Sequence, residues 1–329
     1  MHKYAVSVQK NIFFDNEENK IKQQIIKDES GRASTKIYHL DAFRGKVEIT
    51  MNNINNRYEF TIIFEVENKD FNEDIFAVND FALDWETDHS VVTDTFLKRK
   101  IRHRVSHSCE EKEAYKIFFK ADKTIDQKCA EAYKACGLKT GEKGKDRSAV
   151  SVVNDYMCKN YYDIRTFGAV MDDCENPCGS VHGPVQITFA RSFDPVFLQK
   201  DMIPKNFSNV KETEANKKSE GHYALYRADG FVSALKAKKT NFSEEDLENL
   251  WNAIIHMFDV KQRTANGKFR LRKLIVFKHS SQLGNAPANI LLDKVVVKKK
   301  DCVEVPSGFS DYTVTIEEMP NGVEVIEKL

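Results

Sequence analysis

The sequence predicts an α+β fold, one antiparallel-type sheet with helices inserted between its strands, and three observations carry that reading. Residues 57–67 alternate apolar and polar side chains in a β-rich run, placing Tyr58, Phe60, Ile62, Phe64 and Val66 on one face. Residues 93–105 instead follow a helical period: Phe96, Leu97, Ile101 and Val105 form an apolar stripe behind Thr93, a natural N-cap. Ser243-Glu244-Glu245-Asp246 is a capping box with Asp in the usual Glu position, and opens a helix with Leu247, Leu250, Trp251, Ile254, Ile255 and Phe258 inward.

The other elements follow in chain order. The first fifty residues are polar, with short β-like runs at 4–8, 36–40 and 46–51, and residues 52–56, four of them Asn, read as a linker. After the core strand at 57–67 a loop is expected over 68–89. On the 93–105 helix, Arg99, Arg102 and His103 lie opposite the apolar stripe. Helices are expected over 110–136 and 148–159, separated by a flexible Lys/Gly-rich break at 137–146. Strands are expected at 162–170 and 185–191. Residues 200–220 are polar and poor in β-branched side chains, which predicts a mobile arm or a hairpin that orders on binding. Strands return at 222–235 and 271–278, and β-like runs at 295–298, 312–317 and 322–326 end the chain. Strand, helix, strand, strand, strand, helix, strand is close to the βαββαβ, ferredoxin-like or RRM-like, plan with insertions. Many RNA binders use it, but a fold alone does not license a function.

At 329 residues the chain is long enough for one elaborated domain or two smaller ones. Charged residues are 30% and hydrophobic residues 41%, ordinary for a soluble protein, and no apolar run reaches membrane-spanning length. Seven scattered cysteines and a start without an apolar h-region point to a reduced, cytoplasmic protein rather than a disulfide scaffold. Fifty basic residues balance fifty acidic ones, which argues against indiscriminate nucleic-acid binding through net charge. The cations are nevertheless clustered: Lys98-Arg99-Lys100 with Arg102 and Arg104, Lys236-Lys238-Lys239, Arg270-Arg272-Lys273, and Lys298-Lys299-Lys300. Acids concentrate at 15–18, 68–74 and 244–248, so a molecule with one cationic side is expected.

Within 161–195, Arg165, Gln186 and Arg191 punctuate two apolar runs, and no nucleophile stands beside a base. Cations and amides on a sheet surface suit a polyanion better than bond breaking. His103-x-x-x-His107-x-Cys109 and Cys174 to Cys178 lack the paired close spacing of a structural zinc site. Asp94, Asp163, Asp172 and Asp173 read as structural or capping acids, and Phe189 and Phe277 as core. No catalytic residue, metal or cofactor is predicted.

Several longer motifs resemble one family. Residues 162–170 (Tyr-Asp-Ile-Arg-Thr-Phe-Gly-Ala-Val) are similar to its Asp-Val-Arg-x-Phe-Gly-Ala-Val element, and 183–192 (Gly-Pro-Val-Gln-Ile-Thr-Phe-Ala-Arg-Ser) to its Gly-Pro-Val-Gln-x-Thr-Phe-Ala-Arg-Ser element. Residues 92–94 with 97–102 resemble its Val-Thr-Asp-x-x-Leu-Lys-Arg-Lys-Ile-Arg helix, and 226–234, 272–279 and 281–288 complete the set in order. The family is the Cas-seven-type backbone subunit of type I-C CRISPR surveillance complexes (Cascade), in the RAMP superfamily. The resemblance implies a non-enzymatic subunit whose copies stack head to tail along a CRISPR RNA, each with an RRM-like palm and a thumb-like hairpin. The implied partners are that RNA, further copies of the chain, other Cascade subunits and, through the guide, target DNA. Holding a guide by phosphate and sugar leaves its bases readable and asks for Arg, Lys and amide donors. Lys98, Arg99, Arg102, Arg165, Gln186, Arg191 and Arg227 are the candidates.

On this reading residues 1–56 are an atypical N-terminal extension, 57–297 the backbone domain with a thumb-like insertion at 200–220, and 298–329 a C-terminal β-hairpin extension. The sequence departs from the family at 68–73, where Asn-Pro-Asn-Gly-Asp-Pro becomes Asn-Lys-Asp-Phe-Asn-Glu, at Asp88 and Ser90 in place of glycines, and at His182 in place of an arginine. These departures motivate an alternative: an orphan, phage-borne mimic that enters a host Cascade and inhibits it.

Overall fold

The structure, a computed structural model, describes residues 21–27, 33–40, 47–50, 53–70, 81–84, 86–140, 147–196, 220–259 and 268–329. Strands β1 (Ile21–Lys27), β2 (Ala33–Leu40) and β3 (Val47–Thr50) pair antiparallel in that order. The β-like runs at 36–40 and 46–51 fall in β2 and β3. β1 carries no strict apolar alternation in its Ile-Lys-Gln-Gln-Ile-Ile-Lys, so periodicity does not reveal it. The run at 4–8 lies outside the described residues.

Alternation over 57–67 produces β4 (Tyr58–Asp70), the centre of an eight-stranded sheet. Its neighbours are β11 (Glu220–Val232) and β12 (Lys268–His279), both antiparallel to it. Beyond β11 come β9 (Val185–Ile187) and β10 (Ala190–Ser192), then β6 (His89–Val92) and β5 (Phe81–Asp84). Beyond β12 lies β15 (Val323–Glu327). Helices α1 (Asp94–Ser108) and α6 (Glu244–Ile255) connect β4 to the β9–β10 segment and β11 to β12. The spatial order, with the last strand beside the first and the third beside the second, is that of the ferredoxin-like βαββαβ plan.

Both helices start where their caps dictate. The Thr93 side chain accepts the Phe96 N–H at 3.2 Å, and Ser243 and Asp246 exchange capping-box bonds at 3.2 and 3.0 Å. Each helix buries its stripe on the same sheet face: Phe60, Ile62, Phe64 and Val66 meet Leu97, Ile101, Leu250, Trp251 and Ile254 in one core. Trp251 stands edge-on to Phe60 at 5.2 Å. Gly230, opposite Phe60 on β11, makes room for that ring, since a Cβ there would lie 2.0 Å from Cζ. The other sheet face is also covered. Ile63, Leu225, Ile275 and Phe277 pack under α7 (Ala288–Asp293), β13 (Val295–Lys299) and β14 (Tyr312–Ile316), through Leu291, Leu292, Val295 and Tyr312.

A second core gathers α2 (Ile125–Ala135), α3 (Arg147–Asn160) and the hairpin of β7 (Gly168–Met171) and β8 (Gly179–His182) around Phe118, Tyr133, Val153, Met157 and Met171. Helix α4 (Tyr162–Phe167) joins the two cores, with Tyr162 in the first and Ile164 in the second.

Several elements differ from the sequence expectation. The 68–89 stretch contains the end of β4 and the β5–β6 hairpin rather than loop alone. Only a single turn (Glu113–Tyr115) and α2 occur in 110–136. Residues 162–170 begin as helix α4, because one turn of helix lets Tyr162, Asp163, Ile164 and Arg165 all be buried in different directions. Helices α5 (Ala234–Thr240) and α7 are short and lack a long apolar stripe. The end of the chain is not a detached hairpin: β14 pairs with β13, whereas β15 adds to the central sheet beside β12. The arm expected at 200–220 lies outside the described residues apart from its final residue, where β11 begins. Residues 141–146 of the 137–146 break lie outside them too. Among the described residues no helix is long and apolar enough to cross a membrane.

Candidate nucleic-acid interface

Helix α1 turns its polar face outward, and the site is built around that face. Arg99 is exposed, with its guanidinium 5.6 Å from the Phe96 ring. Lys98 donates to Asp94 at 2.7 Å, one turn earlier, and lies 5.9 Å from the Phe167 ring at the end of α4. Arg102 lies 5.3 Å from the same ring and 4.9 Å from that of Phe119. Its Nε donates to Asp163 at 3.1 Å. Asp163 is fully buried and also accepts the backbone N–H groups of Phe118 (2.7 Å) and Phe119 (3.0 Å), so it anchors Arg102 and a loop together. Burial pulls the Arg102 guanidinium below its usual value, and the Asp163 and Asp94 charges act against that. Arg102 therefore shows only an edge to solvent, at 15% side-chain exposure, and is not wholly on the outer face as its helical position suggests.

Phe167 also forms one wall of an open cleft of about 280 Å³, shared with Gly168, His182, Gln186 and Lys236. Two glycines shape it. A Cβ on Gly168, where φ is +84°, would lie 2.3 Å from the Val181 carbonyl oxygen, and one on Gly183 would lie 2.3 Å from the Phe167 carbonyl carbon. Backbone thus packs directly on backbone there, which only glycine permits. Gln186 and His182 are exposed, and Lys236 comes from the first turn of α5. Arg191, further along the same segment, is half exposed and donates to Asp84 (3.0 Å) and Thr87 (2.8 Å). The Thr87 hydroxyl and the Glu86 N–H, with Arg191, hold the Asp84 carboxyl below its ordinary value.

Two predicted contacts are corrected by these positions. Arg165 has 4% of its side chain exposed. Its Nε and Nη2 donate to the two oxygens of Asp246 at 3.0 and 2.8 Å, Nη1 donates to the Ala114 carbonyl at 2.6 Å, and the rings of Tyr115 and Tyr162 flank it. It is an internal ion pair, because strand-like alternation would expose it but helix α4 turns it inward. Arg227 donates to Asp229 (3.0 Å) and to the carbonyls of Val295 (3.0 Å) and Leu292 (2.6 Å). It clamps the α7–β13 cover onto the sheet, and that cover occupies the face an RRM-like palm would present. Likewise Arg270 donates to the fully buried Glu65 at 3.0 Å and Arg272 also pairs with it, so this basic cluster is counter-charge for a buried acid.

Phe277 is core, as its run suggests, but Phe189 is 59% exposed. His103 and His107 meet ring edge to face at 4.6 Å, while Cys109 is turned into the core. Cys129 Sγ lies 3.6 Å from Cys174 Sγ in the second core, and burial pushes the Cys174 thiol up to about 12. No group of three or more His, Cys, Asp and Glu suited to a metal ion is found among the described residues.

Phe167 joins the α1 cations Lys98 and Arg102 to the cleft of Gln186 and Lys236; Arg99 is exposed on α1, and Arg191, opposite Arg227 in the β10–β11 register, lies on the other side of the sheet from α1. Sequence reasoning did not single out Phe167, His182 or Lys236 as contacts. Lys236 was visible as part of a basic cluster and His182 as a departure from the family pattern; Phe167 had no signal beyond its motif. Cations, an amide and an aromatic wall can hold a phosphate–sugar chain.

The family model described as CRISPR-associated protein Cas7 matches residues 56–317. No curated protein matches the sequence. Among solved structures, the chain is similar to a chain of a CRISPR RNA-guided surveillance complex in a pre-nicking state, at 13% identity and TM-score 0.37, covering 67% of this chain and 78% of that one. A second CRISPR RNA-guided surveillance complex gives 11% identity and TM-score 0.38, with coverage of 70% and 78%. The Csm3-Csm4 subcomplex of a type III-A CRISPR-Cas interference complex gives 9% identity and TM-score 0.31, with coverage of 69% and 80%.

Proposed function

The chain belongs to the CRISPR-associated protein Cas7 family, and from that premise we propose that it is a non-catalytic, RNA-binding backbone subunit of a type I-C-like Cascade. Copies stack along a CRISPR RNA, and the guide so held pairs with target DNA. The observation that supports this best is the pair of α1 cations, Lys98 and Arg102, standing beside the Phe167–Gln186–Lys236 cleft. The subtype in this proposal is supported by the motifs similar to the type I-C subunit. Phosphate contacts from this face would leave base edges free. Lys98, Arg99, Arg102, Gln186 and Arg191 remain contact candidates, joined by Lys236. Arg165 and Arg227 are withdrawn because their donors are used inside the protein.

Co-expression with the other Cascade subunits, purification and sequencing of the bound nucleic acid test the proposal. Recovery of repeat-spacer RNA with a multi-copy assembly is expected. Protein recovered in assembly but free of such RNA would overturn it.

A second reading, a mimic that enters a host complex and disables it, is favoured by one observation: His182 lines the cleft where the family carries arginine. Of the altered stretch at 68–73, residues 71–73 lie outside the described residues. Expression in a host with an active type I-C system separates the two. Dominant loss of immunity supports the mimic, and interference restored in place of the native subunit supports the first reading.

A further inference from the structure

Between β9 and β10 the chain carries one residue too many. Ile187 is opposite Gly230 and Arg191 is opposite Arg227, so this side advances by four residues (187 to 191) while β11 advances by three (230 to 227). That is a β-bulge, and it resets the alternation: Ile187 is buried, Thr188 and Phe189 are both exposed, and Ala190 is buried again. Without the extra residue Phe189 would follow Ile187 onto the helix-covered face. The bulge is closed rather than loose. The Thr188 N–H donates to the Asp229 carbonyl at 2.8 Å, and the Asp229 N–H donates to the Thr188 hydroxyl at 3.0 Å.

The bulge thus holds a phenyl ring in solvent at 59% exposure beside the exposed Thr188, on a segment whose other exposed side chains are the Gln186 amide, three residues before the ring, and the Arg191 guanidinium, two residues after it. An apolar patch meant for a protein core would be rimmed by apolar neighbours. An exposed flat ring on a segment that also presents an amide and a cation suits a nucleotide, whose base stacks while its phosphate and sugar take polar groups. We propose that Phe189 is a stacking platform for a base of the bound RNA. The inference rests on the RNA-binding reading above and adds to it a contact with a base face, which leaves the pairing edge free.

The test uses the full chain and a single-stranded RNA carrying 2-aminopurine at successive positions, whose fluorescence reports stacking. Phe189→Ala and Phe189→Leu are expected to lower affinity roughly 5- to 150-fold and to abolish the quench at one position, with Phe189→Trp restoring both. The salt dependence of binding stays unchanged, since no charge is removed. Thermal melts of the variants establish that each is folded. If the wild-type chain binds RNA with a salt-dependent affinity and Phe189→Ala or Phe189→Leu binds equally well, the platform is refuted and RNA binding stands. If the wild type binds no RNA, both fall. If Phe189→Ala weakens association between copies while leaving RNA affinity and quench intact, Phe189 is a protein contact and the proposal is overturned.

Discussion

Arg165 grips both carboxylate oxygens of Asp246 across 81 residues of chain, in the interior of the protein. The same Asp246 closes the capping box of α6 with Ser243, and its carbonyl accepts the Tyr162 hydroxyl at 3.0 Å. One carboxylate thus fixes the start of α6, the position of α4 and the charge of a buried guanidinium.

Asp246→Ala leaves that guanidinium buried without a partner and removes a helix cap. A destabilisation of about 3–5 kcal/mol is expected, read from urea unfolding midpoints. Adding Arg165→Met should recover part of it, because the stranded charge goes too. A single variant within ~0.5 kcal/mol of the parent would contradict the assignment.

Acid should unfold the protein partly through Glu65. Burial pushes its carboxyl up, but hydrogen bonds from Arg272 and Arg270 more than reverse this, and it ends below its ordinary value of 4.5. A depressed folded value means the carboxylate stabilises the fold fully above pH 4.5 and loses that contribution as pH falls from there through the folded value. Glu65→Gln should therefore flatten the acid limb of stability against pH. An unchanged limb in unfolding titrations would count against it.

Charge reversal on the candidate interface should act on RNA and not on the fold. Arg99→Glu and Lys236→Glu are each expected to lower RNA retention at every guide sequence and to reduce the slope of log affinity against log salt by about one or more. Binding measured at a series of salt concentrations, beside thermal melts, checks this. Retention equal to that of the parent at low and high salt would remove these residues from the site.

Gly183→Ala should be among the costlier small substitutions in the chain. The new methyl would lie 2.3 Å from the Phe167 carbonyl carbon and 2.4 Å from the Thr166 oxygen, so backbone has to separate. A loss on the order of 2–4 kcal/mol is expected, with weaker RNA binding through the displaced cleft wall. Gly137→Ala is the control: φ is +71°, but nothing lies within 4 Å, so only the ~1–2 kcal/mol strain of a left-handed alanine remains. Equal melting temperatures for the two variants would refute the close-approach argument.

The elements legible in the sequence were those whose period comes from packing on one large surface. β4, α1 and α6 each bury a full stripe on the first core, so Phe60, Leu97 and Trp251 announce themselves. Helix α4 was not legible, because its six residues are spent on separate tasks: Tyr162 and Ile164 serve different cores, and Asp163 and Arg165 make internal ion pairs. No single face repeats, and the β-branched look of the stretch favoured a strand. The same limit applies to the site. The exposure of Arg99 was readable from its position opposite the stripe, whereas Arg165 and Arg227 look identical to surface arginines until their long-range partners are known. Phe189 was hidden by a single inserted residue, which alternation cannot reveal without the partner strand's register.

The Asp163 and Asp246 anchors have one more consequence. Through them α1, α4 and α6 are bolted into a jig whose cations keep their spacing before any ligand arrives. A strand docking on such a jig would trigger no coupled folding in these helices, so their contribution to the heat capacity of association should be small and encounter rates should follow ionic strength.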